Sequence, residues 1–363
     1  MNVTIDEVLN VDVVDFQALT RCCRRGLHEN ARPDCWKIIM GFYPPSTRQW
    51  ARIEAARLQE YTDVLSACGL DLESSASLKD EITRAVDVDV PRTMPSLNFF
   101  LGESDELSAA RREREGDALG FTPAQEALRR ILITSANVNK ALGYVQGMNE
   151  YVAHLLYAFA KGNSCNVTSS VEADAFFCFQ TLLSHLGDDF SRSFDFDATC
   201  GLTSTMRLFD NVLRFFDPQL FHFMESLGIS AEHYALRWIM LLFTQEFNIA
   251  DALRVWDFLL SFGDQIRNAA FFVAASMCYH LRSSILSAET MGDVIPLLHE
   301  YPSGDVNEFL RVALRWIARF DFDLIEKLKQ ATPEEVQGLR RFYGLEVDKS
   351  FAQIMQGWIS SVF

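Results

Sequence analysis

What the sequence lacks narrows its reading first. Its longest apolar stretches, 234–243 and 269–281, fall short of the roughly 18 residues that a membrane-spanning helix needs. The N-terminus, MNVTIDEVLNVDVV, has neither a basic stretch nor a long apolar core and does not read as a secretory signal. The final residues, Ser360 to Phe363, offer no cysteine for prenylation. Basic residues are outnumbered, 33 Lys and Arg against 49 Asp and Glu, for a formal charge of −16. That balance repels phosphate backbones and anionic lipid, so no nucleic-acid partner is expected. The 8 cysteines form no CxxC pair and stand at no zinc-finger spacing from a histidine. They read as reduced, buried thiols of a cytoplasmic protein. There is no GxxxxGK[ST], GxGxxG, GxSxG or HExxH, and the 7 histidines are scattered. A metabolic enzyme would lack its nucleophile, metal or cofactor signature; no cofactor and no metal are expected. Strand signals are also scarce. Val11 to Val14 and Val86 to Val90 alternate weakly, without a hairpin partner.

What is present is helical periodicity. Apolar residues recur at helical spacing through Val152, Leu155, Leu156 and Phe159, through Phe176, Phe179, Leu182, Leu183 and Leu186, and from Tyr234 and Ala252 onward. Thr122-Pro-Ala-Gln125 and Thr332-Pro-Glu-Glu335 read as capping boxes, and Asp217 and Ser230 as further N-caps. The chain is therefore read as all-α. Two segments, 70–89 and 103–120, read as charged surface excursions, and GDDFSRSFDFDATCG over 187–201 interrupts the helical pattern.

Two short stretches stand apart from the core pattern. In Val86-Asp-Val-Asp89-Val-Pro91-Arg92-Thr93-Met-Pro95, the prolines stiffen the backbone around Arg92 and stop helix propagation. In Gly143-Tyr144-Val-Gln146-Gly147-Met-Asn149, a glutamine stands between glycines at a helix-to-helix junction, where functional side chains concentrate. Read singly, Arg92 serves equally as an ion-pair partner of Asp89, and Gln146 as a capping amide.

Taken together, these residues resemble the TBC domain of Rab GTPase-activating proteins. Arg32-Pro-Asp-Cys-Trp36 is similar to the family's RxxxW element, Val86-xx-Asp89-xx-Arg92 to IxxDxxR, and Tyr144-Val-Gln146 to YxQ. Arg237-Trp238, LLFTQEF and Arg254-Val-Trp256-Asp257 look like the family's second half, and the resemblance spans roughly 20–320. The stretches EADAFFCF and YALRWIMLLFTQEF with RVWD look closest to the subfamily of the thirteenth human TBC protein. Departures are Leu27-His28 where the family often has Ile-Pro, and Val86 in place of isoleucine.

The resemblance implies a V-shaped array of about 15 helices in two helical subdomains. On this reading 1–20 is an N-terminal extension, 21–190 carries both catalytic fingers, 191–330 is the second helical subdomain and 331–363 a helical tail. It implies an activator with no hydrolase activity of its own. Arg92 would be an arginine finger and Gln146 a glutamine finger, both inserted into a GTP-loaded Rab. GTP and magnesium would belong to the Rab. Asp89 would orient Arg92, Tyr144 would fix the Gln146 loop, and Thr93, Gly147 and Asn149 would support them. Arg32, Trp36, Arg237, Trp238, Trp256 and Asp257 are assigned to structure. The protein would be cytoplasmic, reaching endomembranes only through its Rab. A non-catalytic TBC adaptor is the alternative, although intact Arg92 and Gln146 weigh against it.

Overall fold

The computed structural model describes residues 3–72, 80–101, 121–163, 166–186 and 201–345. The insertion at 103–120 and most of the break at 187–201 lie outside them, as do Phe351 and the rest of 346–363. Among the described residues there are 19 α-helices and no strand, only an isolated bridge between Val13 and Ser46. The helix count exceeds the expected fifteen or so because several, such as Asn98–Leu101 and Arg282–Leu286, are little more than one turn.

Local signals explain most helix starts. Thr122 accepts from the Gln125 N–H at 3.3 Å while the Gln125 side chain accepts from the Thr122 N–H at 3.0 Å, opening Pro123–Val138. Thr332 and Glu335 repeat this at the head of Pro333–Phe342. Asp217 caps Pro218–Ser226 through the Leu220 N–H, whereas Ser230 opens only a 3-10 turn, Ala231–His233.

Two segments differ from the sequence reading. The stretch read as a surface excursion over 70–89 is helical in its second half, and Val86 to Val90 continues it without any extended segment. Asp80 caps a helix, Glu81–Asp89, and a 3-10 turn, Val90–Arg92, follows. The alternation of Val and Asp misleads because Val86 and Val90, four apart, are the buried pair, while Val88 is 52% exposed. The pattern from Tyr234 to Phe243 yields only Ala235–Met240. Leu242 and Phe243 adopt left-handed backbone (φ 47° and 62°), and the Phe243 N–H closes on Trp238 O at 2.9 Å. That reversal turns both side chains into the core.

The chain divides into two compact units, Met1–Phe190 with Trp256–Gly263, and Ser191–Val255 with Asp264–Phe363. In the first, Pro123–Val138 is buried over most of its length and packs against Glu81–Asp89, Met148–Phe159 and Ser169–Leu186. Its Arg130 is satisfied by a two-pronged bond to Glu172 at 2.8 and 2.7 Å, and Tyr61 donates to the same carboxylate. In the second, Ile266–His280 packs against Asn307–Phe320 and Gly201–Phe216, and Trp316 stacks on Phe216 at 4.0 Å. Pro333–Phe342 lies on Gly201–Phe216 and buries Val336 and Arg340, but leaves Phe342 77% exposed.

Candidate functional site

Two loops of the first unit carry the residues singled out by sequence. The first is built by Glu81–Asp89 and the turn after it. Val86 and Val90 anchor the turn in the core, and Pro91 at its second position forbids further helical hydrogen bonding. Arg92 is exposed and has no hydrogen-bond or ion-pair partner among the described residues. Thr93, 1% exposed, fixes the backbone after it. Its N–H donates to Val90 O at 3.2 Å and its hydroxyl to Asp89 O at 2.9 Å.

The second loop runs from Asn139, which ends Pro123–Val138, to Gly147, which caps Met148–Phe159. Gly147 has φ 107° and ψ −24°, a conformation that excludes nearly every other residue. Gln146 is exposed.

Asn149 joins the loops. Its Oδ1 accepts from the Gly147 N–H at 3.0 Å, which fixes the amide orientation, and its Nδ2 donates to Thr93 Oγ1 at 2.9 Å. Tyr144 makes the second bridge by donating to Asp89 Oδ2 at 2.7 Å. Burial, followed by that carboxylate, pushes the phenol's pKa up, so the hydroxyl stays a donor. Asp89 is therefore spent on Tyr144 and forms no ion pair with Arg92. Its carboxylate contacts the Gln146 loop instead.

Sequence reading missed Arg129. It is buried and pairs with Asp87 on the helix leading to Arg92. The signal lay in ALRRILI: two arginines in an apolar helix must find carboxylates.

The outlying motif residues meet elsewhere in the same unit. Asp257, wholly buried, accepts from Arg32 Nε at 2.9 Å, Arg32 Nη2 at 3.1 Å, Trp36 Nε1 at 2.9 Å and the Leu27 N–H at 2.9 Å. Burial raises the Asp257 pKa, and Arg32, then the two N–H groups, oppose that rise. With four donors facing it, the group is an ionised carboxylate. Trp256 packs beside Trp36 (5.7 Å) and His154 (5.3 Å). In the second unit, Arg237 makes a two-pronged bond to Glu246 at 2.7 and 2.8 Å and donates to His299 O. Trp238 is buried next to it. The hydrogen bonds of Asp257 all run to Leu27, Arg32 and Trp36, away from the two loops.

Among the described residues, no group of three or more His, Cys, Asp and Glu is arranged to hold a metal ion, and no helix is long and apolar enough to cross a membrane. The loops instead present an unpaired guanidinium and an amide on a rigid hydrogen-bonded frame.

Comparison with known proteins gives this arrangement its relatives. Human TBC1 domain family member 13 is 27% identical over 354 residues, covering 77% of this chain and 88% of that protein. The Schizosaccharomyces pombe GTPase-activating protein gyp1 is 24% identical over 314 residues, covering 82% of this chain and 56% of that protein. The crystal structure of the Ypt/Rab-GAP domain of Gyp1p shares the fold, with a TM-score of 0.71 at 21% identity over 86% of this chain and 96% of that one. A family model described as the Rab-GTPase-TBC domain matches residues 29–286. Matched by that model over most of its length, the chain belongs to the Rab-GTPase-TBC domain family.

Proposed function

We propose that the protein is a GTPase-activating protein for a GTP-loaded Rab, with Arg92 as its arginine finger and Gln146 as its glutamine finger, and that it thereby regulates vesicle traffic. One observation carries this reading: two exposed side chains, both without internal partners among the described residues, stand on loops joined through Asn149–Thr93 and Tyr144–Asp89. A protein that completes another's active site needs its working groups aimed outward and unspent at home. Family membership and the name of the fission-yeast relative point the same way.

The chemistry suits these groups. γ-Phosphoryl transfer spreads negative charge over the transferred oxygens, and a planar, permanently charged guanidinium neutralises it where water is excluded. A carboxamide can accept from the attacking water and donate to phosphate at once, which positions the nucleophile. GTP and its magnesium are the Rab's, and this chain contributes no hydrolase centre of its own. It acts in the cytoplasm and reaches endomembranes through the Rab.

The test is single-turnover GTP hydrolysis by a panel of purified, GTP-loaded Rabs, with and without the protein, alongside Arg92→Ala and Gln146→Ala. The expected result is acceleration on one or a few Rabs. Removal of Arg92 should cost about 10³-fold or more, the scale of an arginine finger, and removal of Gln146 should also abolish most of it. Binding to a Rab without acceleration would overturn the catalytic reading in favour of an adaptor.

A further inference from the structure

Met94 stands between the two residues that confine the Arg92 loop, Thr93 and Pro95, and its backbone is left-handed, with φ 46°. A residue with a β-carbon is strained there. The residue before a proline is also driven toward extended conformations. Glycine or asparagine takes such a position readily; methionine does not.

The misfit is held from both sides. Upstream, Thr93 is extended (φ −75°, ψ 115°) and tied to Val90 O, Asp89 O and the Asn149 amide. Downstream, the Leu97 N–H donates to Met94 O at 3.0 Å, and the next helix, Asn98–Leu101, buries Phe99 and Phe100. An extended residue at 94 would bring the chain into the turn that Leu97 closes from another direction. A left-handed one satisfies both anchorages. Strain of this kind persists only where the surroundings over-determine it, and it collects at functional sites.

We infer that Met94 is a positioning residue: its forced left-handed turn, clamped between Thr93 and Pro95, fixes the direction in which Arg92 leaves the scaffold. The inference rests on the role proposed above for Arg92. With the surroundings holding the turn, methionine's β-carbon denies the loop the other backbone states that glycine would open.

Two variants separate positioning from packing. Met94→Asn suits the left-handed state and should keep the acceleration within about twofold. Met94→Gly should lower the maximal acceleration about two- to fivefold, the scale of glycine's extra backbone freedom. The Rab concentration for half-maximal effect and the thermal midpoint should stay at wild-type values. Amide hydrogen exchange provides a readout that needs no Rab: Thr93 and Leu97 should exchange faster in Met94→Gly and not in Met94→Asn. Unchanged exchange in Met94→Gly overturns the inference whatever the Rab panel gives. Faster exchange with undiminished acceleration also overturns it, as does a fall in thermal midpoint that parallels the lost activity. A wild-type protein that accelerates no Rab would instead sink the finger reading, while exchange would still decide whether Met94 orders the loop.

Discussion

Replacing Asp257 with asparagine tests how the family's two outlying motifs work. The substitution keeps the shape of the side chain but removes its charge and turns one oxygen into an NH2 group. Oδ1 receives Arg32 Nε and Trp36 Nε1, and Oδ2 receives Arg32 Nη2 and the Leu27 N–H. Whichever way the amide settles, two of these four donors face another donor. Each abandoned buried donor costs about 1–3 kcal/mol. The Arg32 side chain, only 12% exposed, also loses its counter-charge. Breaking a buried ion pair from one side typically costs about 3–5 kcal/mol, and that range is expected here. It is a large share of the roughly 5–15 kcal/mol that holds a domain together. Urea unfolding followed by tryptophan fluorescence suits the question, because Trp36 and Trp256 lie beside the substitution. The first unfolding transition should move to lower urea with its slope unchanged. Below that transition, Rab GTP hydrolysis should be accelerated as in the wild type, since Asp257's hydrogen bonds run to Leu27, Arg32 and Trp36 and not to the Arg92 or Gln146 loop. A loss below about 1 kcal/mol would refute the energetic argument. Lost acceleration in a fully folded variant would move the motif from scaffold to site.

Two further outcomes follow from groups already described. Asn149→Ala removes the bond to Thr93 and the one to Gly147; at about 1 kcal/mol each, it should cost about 2 kcal/mol of stability in urea unfolding. The loss of acceleration in Asn149→Ala and Arg92→Ala combined should be less than the product of the single losses, and multiplicative losses would mean that the amide does not act through the fingers. His154 is fully buried, donates from Nδ1 to Glu150 O at 2.8 Å, and burial holds its pKa down to about 4. The unfolded chain takes up this proton near pH 6.5 and the folded chain does not, so stability falls as pH drops from about 6.5 toward 4. Between pH 7 and pH 5 the wild type should lose about 2 kcal/mol more than His154→Phe, and equal losses in urea unfolding would disprove the assignment.

What could be read from the sequence was local. A cap such as Thr122 needs only Gln125 three residues on, and the stripe Phe176 to Leu186 needs only its own helix. Arg92 and Gln146 were legible because each stands in a short run of prolines or glycines. Their joining was not, because Asn149 reaches Thr93 across a sequence separation of 56 residues. At Val86 to Val90 the alternation of Val and Asp fits either period until burial decides between them. The helix from Tyr234 ended early because Leu242 and Phe243 adopt left-handed backbone that no propensity favours. Met94 hid for the same reason, since nothing about methionine announces a turn. The partner of Asp89 was equally out of reach: Arg92 is three positions away, yet Tyr144, 55 positions away, holds the carboxylate.

The assignment of Trp256–Gly263 to the first unit has a consequence for how the protein is made. Leu27, Arg32 and Trp36 leave the ribosome early, but their common acceptor follows 225 residues after Arg32. At about 5–20 residues per second, those donors wait roughly 10–45 seconds for Asp257. Throughout that interval the N-terminal helices hold a buried guanidinium and an indole N–H with no carboxylate to receive them. The first unit thus closes only after the 191–255 part of the second has been synthesised. A nascent chain halted at residue 190 would present the Arg92 and Gln146 loops on a scaffold that has not locked, and such a fragment is a natural client for chaperones.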